Sequence, residues 1–273
     1  EAKAQFDAVV NSGKYQLNAK YSDNFNAATR NSKEGILEVQ QSVNDGTTDN
    51  GNNGDVLNFP YGGGPGGCCG FHQPSQNLVN AFKVDAAGLP LLDDYNNSAV
   101  SPDVTSDEGL TAADPFTPYA GTVDPRLDWT VGRRGIPYLD WGKHPGVAWI
   151  RAQTYGGPYS PKKNVYYLSQ ENTFTAASGW TKGYNSNNTK LMRYADLLLL
   201  AAEAEVELGN LNTALGYVNQ VRNRAKNGSK VKDGAVNAAN YSVEPYASFP
   251  DAAYARKAVR FERRIELGME GHR

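Results

Sequence analysis

The feature that most constrains the fold is the helical spacing of apolar residues near the end of the chain, in residues 191–273. Apolar side chains recur at intervals of three and four through residues 191–208 and 214–225, which predicts two amphipathic helices. Gly209 ends the first helix, and a third helix is predicted at about residues 251–269. The short connection between the first two helices predicts a plain α-hairpin or a tetratricopeptide-like unit. Either one must bury a face against other elements.

Two stretches of different composition precede this helical block. Residues 1–44 begin with a helical pattern, and the alternating segment 34–40 predicts a short strand. Residues 45–190 are rich in Gly, Pro, Asn and Asp, which predicts a long irregular region with a short helix at residues 76–82. We therefore predict one mostly α domain over residues 1–273, with a tetratricopeptide-like helical scaffold, a large irregular loop-rich subregion and a few short strands.

Charge and hydropathy argue against two functions, binding to nucleic acid and spanning a membrane. The formal net charge is -2, so no basic field is present to attract nucleic acid. The longest apolar run, residues 197–202, is too short to span a bilayer. The chain begins inside a helical pattern without an initiating Met or a signal peptide, and its last helical pattern has no C-cap. We therefore expect a piece of a longer protein, truncated at both ends, with any targeting segment outside it.

A glycine-rich loop runs from Tyr61 to Phe71 and contains two adjacent cysteines, Cys68 and Cys69. Three states are open to these cysteines: a vicinal disulfide, a separate bond from each to an outside partner, or two buried thiols. The disulfide is favoured in an oxidising compartment. The loop matches Gly-x-Gly-x-x-Gly, but the Gly/Asn-rich stretch before it does not predict the strand that a dinucleotide site requires. Tyr61, Phe71 and His72 make this loop a second candidate surface, although a structural loop is the favoured interpretation.

The first candidate surface is the aromatic-rich stretch between Trp129 and Tyr159. Pyranose C–H faces stack on aromatic rings, and polar side chains pair with sugar hydroxyls. Because Gly and Pro separate these aromatics, we expect them to lie on loops, although Trp129 and Trp149 could equally be core anchors. The predicted glycan-binding residues are Tyr138 and Trp141 first, then Trp149, Tyr155, Trp129, Arg133, Arg134 and Asp140. The fourth tryptophan, Trp180, is not among them.

No catalytic residue, metal site or cofactor is predicted. Asp124, Asp128 and Asp140 lie near aromatics, so a glycosidase carboxylate pair is conceivable. Asp124 is also explained as a turn residue ahead of Pro125. The acidic residues in segment 103–114 lack the spacing of a calcium loop, so a solvated acidic loop is favoured over a calcium site.

Acidic and basic residues alternate along the last predicted helix. Glu262, Glu266 and Glu270 are four residues apart, and Arg263 and Arg264 lie beside them. Apolar positions interleave with these charges, so the pattern predicts a structural, ion-paired helix and not a functional charge cluster.

Three segments of the helical block, taken in order, resemble the C-terminal signature of the SusD/RagB family. They are residues 191–204 (LMRYADLLLLAAEA), 214–225 (ALGYVNQVRNRA) and 260–273 (RFERRIELGMEGHR). Four upstream segments are similar to the same family in the same order: residues 9–17, 32–40, 73–82 and 124–127. The chain is thus identified as the C-terminal portion of a SusD/RagB-like protein.

The resemblance implies a nutrient-binding lipoprotein on the extracellular face of the outer membrane of Bacteroidetes. Such a protein is not an enzyme. It captures an oligosaccharide or polysaccharide and passes it to a SusC-like TonB-dependent transporter. The family's lipid-accepting cysteine would lie outside this chain, because Cys68 and Cys69 are too far from its start. The alternatives are a carbohydrate-active hydrolase and a repeat scaffold that binds a protein or peptide nutrient.

Overall fold

The computed structural model describes residues 1–47, 49–177 and 183–272, so Trp180 and Arg273 lie outside the described residues. The α-helices in this part of the chain are α1 (Ala2–Asn11), α2 (Gln76–Asn80), α3 (Leu127–Thr130), α4 (Gln153–Gly156), α5 (Tyr194–Glu207), α6 (Leu211–Asn227) and α7 (Ala252–Glu266). The strands are β1 (Gly35–Val39), β2 (Thr122–Val123), β3 (Val131–Gly132), β4 (Ser160–Pro161), β5 (Thr189–Arg193), β6 (Lys232–Asp233), β7 (Val236–Asn237) and β8 (Asn240–Tyr241). Short 3-10 helices lie at Tyr21–Phe25, Ala27–Thr29, Asp55–Asn58, Pro65–Gly67, Val147–Trp149 and Leu168–Gln170.

The helical block forms as the periodicity predicts. Helices α5 and α6 are an antiparallel hairpin, and α5 also packs against α7 and α1. Their apolar positions, among them Leu198, Val218 and Val259, share one buried core. Gly209 has a φ of +81° and ends α5, as expected. The first helical residue of α6 is Leu211, and Asn210 precedes it at the cap position. None of the helices in the described ranges is long and apolar enough to cross a membrane.

The predicted start of the block is wrong by three residues. Leu191 and Met192 belong to strand β5, which pairs antiparallel with β1, and α5 begins only at Tyr194. The backbone N–H of Tyr194 donates to the carbonyl of Glu34 at 2.8 Å, which ties the start of α5 to the segment before β1. The partner strand lies far away along the chain, so helical spacing around Leu191 could not reveal the pairing.

The other predicted elements are present with small shifts of boundary. Strand β1 lies within the predicted segment 34–40, and α1 lies within the opening helical pattern. Helix α2 begins at Gln76, because the Oγ of Ser75 accepts a hydrogen bond from the Leu78 N–H at 3.2 Å. It ends at Asn80, two residues before the predicted Phe82, whose side chain is buried in a second core beside the helical block.

The loop-rich region has its own apolar core. Phe59, Tyr138 and Tyr166 are buried there with Trp149 and Cys69. Within this region β3 pairs antiparallel with β4, and β2 pairs parallel with β8, which joins the region to the segment before α7. Strands β6 and β7 pair antiparallel with each other between α6 and α7. A region without helical or strand periodicity therefore still buries large aromatic side chains, and this decides which of them can reach a ligand.

A buried network of charged side chains joins α7 to the rest of the fold. It contains Arg126, Arg193, Arg222, Arg224 and Lys163 as cations, and Asp124, Glu34, Glu262, Glu266 and Glu270 as anions. Five cations face five anions, so the network carries no net charge. Glu262 and Glu266 therefore pair with arginines from other elements, and not with Arg263 or Arg264 beside them in sequence.

Candidate functional site

Two of the predicted stacking residues are core residues. Tyr138 has 0% of its surface exposed, and its hydroxyl donates to the carbonyl of Pro161 at 2.5 Å. Its ring lies edge-on to Trp149 at 5.5 Å between centroids, and Trp149 itself is 9% exposed. The prediction that Tyr138 is the first stacking residue is therefore wrong, because protein covers its ring. For Trp149 the structure favours the alternative, a core anchor.

Trp141 and Trp129 are half-buried, and each is fixed through its indole N–H. That of Trp141 donates to the carbonyl of Tyr166 at 3.0 Å, and that of Trp129 donates to the carbonyl of Ser229 at 2.9 Å. The Nζ of Lys162 lies 5.7 Å from the centre of the Trp129 ring. Part of each indole remains accessible, so contact of these two residues with a sugar stays a prediction.

Two of the three carboxylates considered for a hydrolase, Asp124 and Asp128, are engaged in buried ion pairs. Asp128 accepts two hydrogen bonds from Arg133, and Asp124 does the same with Arg126. Burial alone would raise the pKa of Asp128, but the Arg133 guanidinium outweighs it and holds the pKa below its usual value. A glycosidase acid needs a raised pKa, so Asp128 does not suit that role. Arg133 is equally occupied, and its prediction as a ligand contact is wrong.

Arg134 and Asp140 both bind the protein backbone. Arg134 donates to the carbonyl groups of Thr111, Ala112 and Asp114, at 2.7–3.2 Å. The Asp140 carboxylate accepts from the N–H groups of Leu168 at 2.6 Å and Ser169 at 2.9 Å, at the start of a 3-10 helix. These contacts give both side chains a structural role, and their contact with a ligand stays a prediction.

Tyr155 is the predicted residue whose ring is most open to solvent. It is 70% exposed on α4, a single helical turn. The next residue, Gly156, lies against Gln73, whose side-chain amide donates to the carbonyl of Gly157 at 2.6 Å. This contact places Tyr155 beside the segment that follows the glycine-rich loop.

The end of the glycine-rich loop brings two more exposed rings around an arginine. Tyr61 is 42% exposed and Phe71 is 39% exposed. The guanidinium of Arg151 lies 4.2 Å from the centre of the Phe71 ring and 5.4 Å from that of Tyr61. We name Tyr61, Phe71, Arg151 and Tyr155 the aromatic–arginine surface. It joins the second candidate surface of the sequence to the first, through an arginine that was not among the predicted residues.

Backbone contacts hold this surface in shape. Cys68 and Cys69 are joined by a disulfide, and the carbonyl of Cys69 accepts from Arg151 Nη1 at 3.0 Å. Gly70 has a φ of +64°, and a Cβ there would lie 3.1 Å from the Tyr61 Cβ and 3.2 Å from the Arg151 Cβ. Only glycine therefore suits this position, where the chain turns so closely that Tyr61 and Phe71 both lie against Arg151.

A separate cleft of about 920 Å³ lies at the C-terminal end of α7. Its arginines already have protein partners: Arg263 pairs with Asp196 at 2.8 Å, and Arg260 pairs with Glu203 at 2.7 Å. Among the described residues that line it there is no Tyr or Trp. Sugar stacking relies on exposed rings, and Phe25 at this cleft is only 6% exposed, so the aromatic–arginine surface is the better candidate.

The acidic residues considered for calcium do not come together. Within residues 1–47, 49–177 and 183–272, no group of three His, Cys, Asp or Glu side chains could hold a metal ion. Asp103 accepts a hydrogen bond from Asn80, and Asp114 accepts two from Thr111. The absence of a bound cofactor stays a prediction.

Comparison with known proteins decides the family. Residues 33–273 match the sequence model described as the SusD family. The chain belongs to the SusD family. No curated protein matches this SusD-family chain at a significant level. The match covers both the helical block and the loop-rich region, which includes the aromatic–arginine surface.

Solved structures of SusD-like proteins share the fold of this SusD-family chain. A SusD-like carbohydrate binding protein from Bacteroides fragilis matches at 21% identity and a TM-score of 0.57, covering 99% of this chain and 46% of its own. Another SusD-like protein from Bacteroides fragilis matches at 22% identity and a TM-score of 0.56, covering 98% of this chain and 48% of its own. A SusD homolog from Bacteroides thetaiotaomicron matches at 20% identity and a TM-score of 0.54, covering 99% of this chain and 46% of its own. The chain spans about half the length of these structures.

Proposed function

We propose that this chain forms part of a cell-surface protein that captures an oligosaccharide and delivers it to a TonB-dependent outer-membrane transporter. Membership of the SusD family supports carbohydrate binding, and one similar structure is that of a carbohydrate binding protein. The observation that carries the proposal is the aromatic–arginine surface, where the exposed rings of Tyr61 and Phe71 flank the guanidinium of Arg151 and the exposed Tyr155 follows on α4. Attachment through a lipid anchor and location on the extracellular face belong to the same proposal.

The surface suits reversible capture. Stacking on an aromatic ring contributes about 0.5–1.5 kcal/mol beyond buried area, so two or three rings give a weak, multi-point contact. Weak binding at several points permits release to a transporter, whereas a deep enclosed site would hold the sugar. Asp124 and Asp128, two of the carboxylates considered for hydrolysis, are held in buried ion pairs, which supports a binding role over catalysis.

Affinity electrophoresis of the full-length protein in gels that contain single polysaccharides tests capture. We expect at least one polysaccharide to retard the protein. Tyr61→Ala combined with Phe71→Ala should weaken that binding about tenfold, because two stacking contacts are lost. Leu208→Ala removes an exposed apolar side chain elsewhere and should change nothing. Urea unfolding of each variant separates a lost contact from a lost fold.

Three outcomes would contradict the proposal. Retardation by no polysaccharide would favour a protein or peptide nutrient. Sustained release of new reducing ends from a bound glycan would favour a hydrolase. Delivery has its own test: cells that lack the protein should take up a fluorescent derivative of the retarding glycan more slowly, and cells without the transporter should bind it without uptake. Equal uptake with and without the protein would refute delivery.

A further inference from the structure

Arg151 differs from most arginines of this protein because no carboxylate of the described residues pairs with it. The structure describes twelve arginines, and nine of them form an ion pair with an acidic side chain. In the described part of the chain, Arg151 donates one hydrogen bond, from Nη1 to the carbonyl of Cys69. A guanidinium carries five N–H groups, so Arg151 keeps donors that face solvent.

The contact with Phe71 leaves these donors usable. The central guanidinium carbon of Arg151 lies 4.2 Å from the centre of the Phe71 ring. A cation over an aromatic ring is held by its charge, so this contact requires no N–H hydrogen bond. Together with the hydrogen bond to Cys69 it positions Arg151, and a positioned guanidinium matches the two oxygens of a carboxylate or sulfate.

The two segments that build the surface contain no acidic residue. Residues 56–84 and 141–170 together contain no Asp and no Glu, although the whole chain has 29 of them in 273 residues. At that average frequency the 59 residues of the two segments would hold about six. Asp107, which contacts α4 through its backbone carbonyl, is buried with its carboxylate 4.0 Å from Arg134. The two segments that carry Tyr61, Phe71, Arg151 and Tyr155 thus contribute no acidic side chain to the surface, in a chain of net charge -2.

We propose that the aromatic–arginine surface selects acidic glycans, with the Arg151 guanidinium pairing with a carboxylate or sulfate of a sugar whose ring stacks on Tyr61 or Phe71. This inference rests on the proposed function, since it names the class of glycan that the same surface takes. A neutral sugar uses only the rings and leaves the charge of Arg151 unpaired. An acidic sugar gains a charge-assisted hydrogen bond as well.

Matched polymers that differ in charge alone test the inference. Affinity electrophoresis would use polygalacturonate and its carboxyl-reduced form, alginate and its carboxyl-reduced form, and dextran sulfate and dextran. We expect at least one acidic polymer to bind about tenfold more tightly than its neutral partner, as one partly exposed charge-assisted hydrogen bond provides. High salt should reduce that ratio, because salt screens the charge of Arg151. A preference within the polygalacturonate or alginate pair indicates a carboxylate, and a preference within the dextran sulfate pair indicates a sulfate.

Substitution assigns the preference to the residue. Arg151→Gln should bring the ratio of acidic to neutral affinity close to one, because the charge-assisted hydrogen bond is lost. Arg151→Lys keeps the positive charge but loses the paired N–H groups that match two oxygens of an acidic group. It should therefore retain part of the preference for the acidic polymer. Arg30→Gln is the matched control: Arg30 also lies over an aromatic ring, that of Phe174, and has no acidic partner among the described residues. It should leave the ratio unchanged.

The outcomes separate this inference from the proposed function. Binding of neutral polymers with no preference in any of the three pairs would overturn acidic selection and leave glycan capture standing. Binding of none of these polymers, nor of any in the wider panel, would overturn both. An acidic preference that survives in Arg151→Gln, in a variant with unchanged urea unfolding, would refute the role of Arg151.

Discussion

Replacement of Glu266 by Gln removes the central negative charge of the buried network while keeping the size of the side chain. One carboxylate oxygen of Glu266 accepts from Arg193 at 2.5 Å and from Arg224, and the other accepts from Arg126 at 2.9 Å. Burial alone would raise the pKa of Glu266, but Arg224, Arg193 and Arg126 outweigh it and hold the pKa well below its usual range. The carboxylate is therefore charged at neutral pH.

The loss of stability in Glu266→Gln follows from the charge balance of the buried network. The substitution leaves five buried cations facing four anions, and the new amide turns N–H donors toward guanidinium groups that also donate. Breaking a buried pair by removing one partner costs about 3–5 kcal/mol. That is a large part of the roughly 5–15 kcal/mol by which a domain is stable. With a urea slope of about 3 kcal/mol per M, the unfolding midpoint should fall by about 1–1.7 M.

Urea unfolding followed by tryptophan fluorescence measures this shift, with Glu207→Gln as the matched control. Glu207 receives two hydrogen bonds from Arg256 at the surface, and water replaces that contact when it is lost. The control should leave the urea unfolding midpoint almost unchanged. Adding Arg224→Gln to Glu266→Gln restores a balance of four and four, and should recover part of the loss. Equal midpoints for Glu266→Gln and Glu207→Gln would refute the view that a desolvated, balanced network holds α7.

Three further predictions follow from other parts of the fold. Burial and the charge of Lys162 lower the pKa of His144 to about 3. In the unfolded chain the histidine takes up a proton near pH 6.5, while in the folded protein it stays neutral. His144 therefore contributes stability above pH 6.5, and this stability is lost as the pH falls toward 3. A His144→Asn variant should therefore lose less stability than the wild type between pH 6 and 4, where the slope from this group is roughly 1.4 kcal/mol per pH unit, and parallel urea profiles would contradict this. Replacing both Cys68 and Cys69 by Ser should weaken glycan retardation in gels, because the disulfide no longer holds the glycine-rich loop in shape, while urea unfolding still reports a folded protein. Unchanged retardation would show that the disulfide is dispensable. Asp251→Ala removes the carboxylate that accepts from an N–H in the first turn of α7 at 2.8 Å, and should cost about 1 kcal/mol in urea unfolding, with Asp251→Asn close to wild type.

The positions of the candidate site were only partly predictable. The sequence located the two aromatic loops that meet, since Gly and Pro between aromatics mark loop residues. It ranked Tyr138 above Tyr61, because both are tyrosines in turn-rich segments and nothing local distinguishes them. Burial of Tyr138 depends on strand β4 and on the core around Phe59, which come from distant parts of the chain. An absence of Asp and Glu in residues 56–84 and 141–170 was a signal that could have pointed to Arg151.

By itself, the sequence determined the helices α5, α6 and α7, because a period of 3.6 residues is a local property that each segment carries alone. The order of its signature segments also indicated the SusD family, and the family match confirms it. The tertiary structure decided three things: that Leu191 lies in a strand, which arginines pair with Glu266, and which loop aromatics stay exposed. Each depends on contacts between residues far apart in sequence, and spacing along the chain holds no record of such contacts.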